Sequence, residues 1–533
     1  MVSFTHARKT TLFTALQRPL PRILLAVAAF FFLAFVYRRY SLTFDINADH
    51  ANDLLEGQAV FHGNPLLHHW VLTTTSWYTT DVLFYAAGIA IRGFNPVLLH
   101  EVPVIVFTVA VFMAAYLGGK REGRRARDIA GMMVAFVLIG LPVQIHAHNI
   151  LLGPFHAGST LYLFIAYAAL DGQASEDEPL AWWRLALFTL VLAGAAIADT
   201  MVAYTAVLPL LIVTTLRIYR RVGFRRNEIS IAVGTLIAVL AAKVFFRLVS
   251  ALGGFDMDPA AYSSTVRFVQ FGDLPRNISW TVEGMIAAYG AYFFGQPPGL
   301  RVVFCAINLL LMGVVFYGLW QALVMTWRQT VKIDRLSSTL ATGMAVLLLS
   351  YVLSTLPSGL DTIRYFVPFT AMGAVLTGRF LLSHVPDRRK LLSMIAVGGV
   401  AGALFLCSQM RVSYFEPRAQ PLATWLESRH LKNGYGSYWC CADTVALTRD
   451  RVHVRPIMER NGAMAPFLWA VSSDWYHEPA NFVVADKSNE EGVSEKALRK
   501  AFGAEAQRYV VGPFIVMVYD HDLTPLLAPV SSH

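Results

Sequence analysis

Read as apolar and polar positions, the chain alternates long apolar runs with short basic punctuation as far as Ser408, and then changes character. A helix needs about 20 mostly apolar residues to cross a hydrocarbon core. Runs of that kind fall at Ile23 to Tyr37, Pro96 to Leu117, Ile129 to Val143, Gly158 to Leu170, Leu185 to Ala198, Met201 to Leu216, Ile229 to Leu252, Val302 to Met325, Ser338 to Leu356, Tyr365 to Leu382 and Leu391 to Ser408. The pattern predicts about eleven transmembrane helices. Asp81 to Ile91 is shorter, opens on a carboxylate and closes at Arg92, which predicts a helix lying along the membrane surface. The amphipathic stretch Ile278 to Phe294 predicts another.

Beyond Arg411 the composition is mixed, and the pattern predicts a small α/β domain. Val452 to Ile457, Asn481 to Ala485 and Tyr509 to Tyr519 carry strand-like β-branched content, and Ser494 to Phe502 has helical periodicity. The fold class is therefore mainly α and membrane-embedded, with residues 1–410 as the transmembrane domain and 411–533 as the appended domain.

Charge orients this arrangement. Lys and Arg cluster at Arg8, Lys9, Arg18 and Arg22, at Lys120 to Arg127, at Arg217 to Arg226, at Arg328, Lys332 and Arg335, and at Arg388 to Lys390. Short basic loops stay in the cytoplasm. The N-terminus is then cytoplasmic, residues 40–95 and 253–300 are long external loops, and the C-terminal domain is external, which in a bacterial inner membrane means periplasmic. Two features run against the rule: the expected inner loop Asp171 to Arg184 is acidic, and Arg38 with Arg39 lies outside the first span. Composition agrees with the class, since 56% of residues are hydrophobic, 15% are charged and the mean hydropathy is +0.49. The net charge of +9 sits in the inter-span clusters, so it points to membrane topology and not to nucleic acid. Ile23 to Val36 meets Arg38 and Arg39 instead of a small-residue cleavage site, so no cleavable signal is expected. Of the four cysteines, adjacent Cys440 and Cys441 allow only a strained vicinal disulfide, and no spacing matches a zinc site.

Candidate chemistry concentrates after the first span. Asp45, Asp49 and Asp53 recur every four positions, so a helix through them puts all three on one face, with Glu56 three positions on. One carboxylate facing a water-filled cavity can act as a general base, and two can hold a divalent cation. Asp53 and Glu56 read as the solvated face or cap of a surface helix, and Asp45, nearest the membrane, as functional. Arg364, between two expected spans, is a phosphate-gripping candidate, with Arg267 and Arg276 as alternatives. Asp199 sits at an expected outer turn. His146, His148, Asn149 and His156 form an external group in which hydrogen bonding is the commoner use and metal binding the rarer, with His156 a candidate substrate contact. Trp70, Trp77 and Tyr78 suit either an interfacial aromatic belt or stacking on sugar faces.

A first span, an external loop opening on an acid, interfacial helices, about eleven spans and an external C-terminal domain together resemble the GT-C class of membrane glycosyltransferases. Gly63, Asn64, Pro65, Leu66, Leu67, His68, His69 and Trp70, followed by Ser76, Trp77, Tyr78, Thr79, Thr80 and Asp81, also look like runs from a bacterial group of GT-C-like membrane proteins. The resemblance implies a polyprenyl-phosphate-linked sugar donor, an envelope glycan, lipid or protein acceptor, and an inverting transfer. It places the catalytic carboxylate in the first external loop, at Asp45 or, second, at Asp49. Substrate contacts would come from Asp81, Arg364, His156, Trp70, Tyr78 and Asp199. The chain departs from stricter members in lacking a clear Asp-Glu pair there, which leaves the choice between Asp45 and Asp49 open. A lipid-linked saccharide transporter without catalysis is the other class the pattern allows.

Overall fold

In the computed structural model, the described residues are 19–119, 128–153, 155–171, 176–257, 266–328, 333–460, 462–487 and 493–529. The basic positions Arg8, Lys9, Arg18, Lys120 to Arg127 and Lys332 lie outside them. Each run expected to span contains a helix. Seven of the described helices are long and apolar enough to cross a membrane: Ile23–Ser41, Leu98–Gly118, Arg225–Ala251, Leu300–Arg328, Arg335–Val352, Thr362–His384 and Arg388–Gln409. Ile129–Gly140 and Trp182–Ala198 are shorter apolar helices. The run expected from Ile129 to Val143 breaks early because Pro142 drives Leu141 out of the helical region, to φ −118° and ψ 65°, and a new short helix, Gln144–Leu151, follows.

Small residues let the helices close on one another. A Cβ on Gly131 would lie 2.5 Å from the Gly118 carbonyl oxygen and 2.7 Å from that of Gly378, so three segments meet backbone to backbone. At that end of the bundle the unexpected acids find partners: Asp171 pairs with Arg379, Glu176 with Arg217, and Glu228 with both Arg217 and Arg335. Asp171 and Glu176 of the acidic loop are thus paired, one with an arginine inside a span and one with an arginine of a basic cluster. At the opposite end Arg38 pairs with Glu101 and Arg39 donates to the Met410 carbonyl, which accounts for two arginines beyond the first span.

That opposite end carries the first long loop and the C-terminal domain. The loop folds into the helix Ala48–Phe61, strand β1 (Trp70–Leu72), a π-turn at Tyr78–Val82 and the helix Leu83–Arg92, so the short Asp81 to Ile91 segment is helical as its pattern predicts. β1 pairs in parallel with β2 (Asp256–Met257) from the second long loop. The C-terminal domain is built on the strands β3 (Asn433–Gly436), β4 (His453–Arg460), β5 (Ala463–Pro466), β7 (Phe482–Asp486), β8 (Gln507–Val511) and β9 (Phe514–Val518). They form one sheet in the order β5-β4-β3-β7-β9-β8. The single strand expected from Tyr509 to Tyr519 is instead a hairpin, because Gly512 at φ +58° and Pro513 turn the chain between β8 and β9. Cys440 and Cys441 are free thiols, each donating to the Ser437 carbonyl.

The two parts are joined by main-chain pairing. Strand β6 (Val471–Ser472) of the C-terminal domain runs antiparallel to β1, with Trp70 opposite Ser472 and Val71 opposite Val471, and the Ser473 N–H donates to the His69 carbonyl at 2.8 Å. Beneath this seam Leu54, Leu55, Trp70 and Tyr85 of the loop share one apolar core with Tyr438, Val445 and Ala446 of the domain.

Candidate active site

The helix Ala48–Phe61 begins with a reciprocal cap. The Asn47 side chain accepts from the His50 N–H at 3.2 Å, and the His50 ring Nδ1 accepts from the Asn47 N–H at 3.1 Å. Asn47 is extended, at φ −138° and ψ −179°, so Asp45 stands outside the helix. Asp49, Asp53 and Glu56 remain on a common face, and together with Asn52 they line a cavity of ≈ 110 Å³.

Three other segments complete its wall. Trp77 and His156, both at positive φ (48° and 66°), lie with ring centres 5.1 Å apart. Such backbone positions are uncommon for non-glycine residues and cluster where a site over-determines them. The Trp77 turn is held by its N–H to the Ala198 carbonyl and by Ser76 Oγ to the Ile197 carbonyl, and buried Asp199, next in the chain, receives His156 Nδ1 at 2.8 Å. Arg364 and Tyr365 enter from the segment before the helix Val367–Leu376. The Arg364 guanidinium lies over the rings of Phe155 and Tyr365, and among the described residues it makes no ion pair or side-chain hydrogen bond. Tyr438 and Trp469 of the C-terminal domain close the cavity. Tyr438 Oη donates to Asp49 Oδ1 at 2.6 Å and accepts from Asn52 Nδ2 at 2.8 Å.

The electrostatics favour proton-holding carboxyls. Burial raises Asp49 above the ordinary carboxylate range, opposed by the Tyr438 hydrogen bond and by Arg364. Asp53 is pushed well up by burial and then by the charges of Glu56, Asp81 and Asp49, and burial does the same to Glu56. Both are at most 4% exposed, and Asp53 Oδ2 and Glu56 Oε2 have no partner among the described residues. The solvated-face reading of these two residues is therefore corrected: β6 and Tyr438 bring the C-terminal domain down onto that face.

The remaining expected residues fall into three groups. Arg364 and His156 line the cavity with Asp49, and Asp199 stands behind as the buried partner of His156. Asp81 is buried near the cavity without lining it; it accepts from Thr80 Oγ1 at 2.6 Å, and burial raises its carboxyl to about 7. Asp45, Trp70 and Tyr78 lie elsewhere. Asp45 lines a separate cavity and accepts from the Arg418 N–H at 3.1 Å; Trp70 is in β1 against Trp475; Tyr78 donates to the Pro65 carbonyl and packs on Phe245 and Phe255. The external histidines diverge, with His146 on Thr370 and His156 on Asp199. Among the described residues no group of three or more His, Cys, Asp or Glu is placed to hold a metal. Tyr438, Trp469 and the run Thr73 to Thr75 line the site without having been singled out in the sequence; only the folded seam between distant segments reveals them.

No protein-family model and no curated protein matches the sequence. Among solved structures, the crystal structure of ArnT from Cupriavidus metallidurans bound to undecaprenyl phosphate superposes with a TM-score of 0.54 at 11% identity, covering 96% of this chain and 100% of that one. The chain shares the fold of ArnT. At 11% identity the likeness extends to architecture alone. It accounts for the arrangement of apolar helices, loop helices and a capping sheet domain as one coherent fold.

Proposed function

We propose that this chain is a membrane glycosyltransferase that moves a sugar from a polyprenyl-phosphate donor to an envelope acceptor. The observation that carries this reading is the convergence, in one cavity, of the burial-raised Asp49 carboxyl and the unpaired Arg364 guanidinium. A second cavity supports it. Inside the helix bundle, Phe107, Ile139, Val143, Leu311 and Val367 line a mostly apolar space that comes within one residue of the polar site along the chain, since Ala157 lines the apolar space and His156 the Asp49 cavity. The lipid tail occupies the apolar space, and the phosphate meets Arg364, whose planar fork suits phosphate oxygens.

In the transfer itself, the acceptor oxygen attacks the anomeric carbon while its proton passes to an Asp49 oxygen. The bond from that carbon to the phosphate oxygen breaks, and the electron pair leaves with the polyprenyl phosphate. Attack opposite the leaving group inverts the anomeric centre. The ArnT structure, which holds undecaprenyl phosphate on the same fold, supports the choice of lipid. The arginines at the far end of the bundle support an orientation with that end in the cytoplasm and the cavity with the C-terminal domain in the periplasm. Any divalent cation would have to draw on Asp53 and Glu56, whose partnerless oxygens are the best-placed donors.

The test uses the full chain in nanodiscs. Undecaprenyl phosphate binds the wild-type protein, and Arg364→Ala weakens that binding at least tenfold. Asp49→Asn retains it but lowers turnover by about 10²–10⁴. Unchanged lipid binding in Arg364→Ala, or full activity in Asp49→Asn, would remove this cavity from the chemistry.

A further inference from the structure

The cavity beside Asp45 belongs to no step above. It measures ≈ 250 Å³ and lies where the first long loop meets the C-terminal domain, lined by Asp45, Asn47, Arg418, Trp439, Asp443 and Phe514. That is just under the ~300–1,000 Å³ typical of small-molecule sites, enough for one ring-sized ligand. Asp443 is 3% exposed. Its Oδ1 accepts from the Thr444 N–H at 2.9 Å, while its Oδ2 has no partner among the described residues. Asp443 lines the cavity, so a ligand or water there can reach that oxygen.

The surroundings restrict the ligand's chemistry. Arg418 is committed to Asp486 and lies over the Phe514 ring. Two further carboxylates, Asp45 and Asp443, face the same space. The one cation lining this space among the described residues is already paired with Asp486, so the cavity suits a neutral ligand better than a phosphate. The half-buried indole of Trp439 and the Phe514 ring give an apolar wall, while the carboxylates accept hydroxyl protons from the other side. Hydroxyls on one edge and C–H groups on a face describe a sugar ring.

Position assigns its role. Tyr438 lines the Asp49 cavity and its neighbour Trp439 lines this one; likewise Asp49 lies on the first and Asn47 on the second. The same two segments, residues 47–49 and 438–439, therefore contribute to both cavities. We infer that the junction cavity is an acceptor subsite that seats a neutral sugar residue of a glycan acceptor, holding it next to the Asp49 cavity through Asp443, Asp45 and Trp439. This rests on the glycosyltransferase reading. Burial raises the Asp443 carboxyl to about 8, so at neutral pH it donates a hydrogen bond as well as accepting one, which suits hydroxyl groups.

The experiment titrates full-length protein in nanodiscs with methyl glycosides of common envelope hexoses, 6-deoxyhexoses, pentoses and N-acetylhexosamines, read by saturation-transfer NMR. At least one glycoside binds saturably. Asp443→Ala and Trp439→Leu each weaken it at least tenfold, and Asp49→Asn leaves it unchanged; the Trp439 variant decides if Asp443→Ala fails to fold. No saturable glycoside, or binding lost in Asp49→Asn and kept in both other variants, overturns the inference. So does a basic peptide binding in place of sugars with the same dependence on Asp443. Undecaprenyl phosphate titrated into the same samples separates the two readings: if it binds and no glycoside does, only the acceptor subsite falls, and if it fails to bind, the donor assignment falls.

Discussion

Asp49 owes its setting to one neighbour from the far end of the chain. The Tyr438 hydroxyl stabilises the charged carboxylate, so removing it raises the Asp49 pKa further. Tyr438→Phe should therefore move the acid limb of the pH–rate profile to higher pH, and kinetics across pH 5–9 would show it; a profile that stays put would uncouple the pair. Asp81 supports a stability prediction. Its carboxyl is raised from an ordinary 3.8 to about 7, mainly by burial, so the native state favours the protonated form. That contribution is complete below pH ~4 and is lost as pH rises through ~7. Asp81→Asn should match wild-type Tm near pH 4 and exceed it by a margin that widens up to about pH 7. At this scale the sequence was partly legible. The four-residue spacing rightly grouped Asp49 with Asp53, but it drew in Asp45 because nothing in the spacing reveals that Asn47 and His50 cap the helix two residues later. Burial of Asp53 and Glu56 was not legible, since it is imposed by residues almost four hundred positions away.

Among the elements, the apolar runs located the helices well because a membrane span is a local property of composition. The errors came from backbone punctuation: Pro142 cut one run short, and Gly512 with Pro513 folded one expected strand into two. Strand β3 went unread because its sequence, Asn-Gly-Tyr-Gly, sets a single strand former, Tyr435, between two glycines. Its glycines answer to packing, since a Cβ on Gly434 would lie 2.3 Å from the Phe482 ring. The same logic governs the helix crossing at Gly131. Gly131→Ala sets a methyl against two carbonyl oxygens at under 3 Å, so three segments must part. The expected cost is about 1–3 kcal/mol, read as a fall in Tm in detergent. An unchanged Tm would mean that the crossing relaxes freely.

For the whole molecule, what matters is the seam between β1 and β6. Ser473→Pro tests it with little local damage, because Ser473 opens a short 3₁₀ turn where proline is tolerated and Ser472 already has the extended backbone that proline requires before it. The variant loses the N–H that reaches the His69 carbonyl. Amide exchange at Trp70–Leu72 should accelerate and turnover should fall, while exchange in the β7–β9 strands stays as slow as in wild type. Equal acceleration at both places, or no change at β1, would show that the seam does not hold the domain in place. No reading of local pattern could have found this contact. His69 and Ser473 are 404 positions apart, and short strands of two or three residues carry almost no periodicity.

That separation has a consequence for how the protein is made. A growing chain emits the Asp49 helix early and Tyr438, β6 and Trp469 only after the last span has been inserted. Until then the three carboxyls of that helix lack the cover of Tyr438 and Trp469, and the cavity does not exist. The cavity is finished only after the bundle, so a chain stalled before β6 can carry every described helix of the bundle and still lack that cavity.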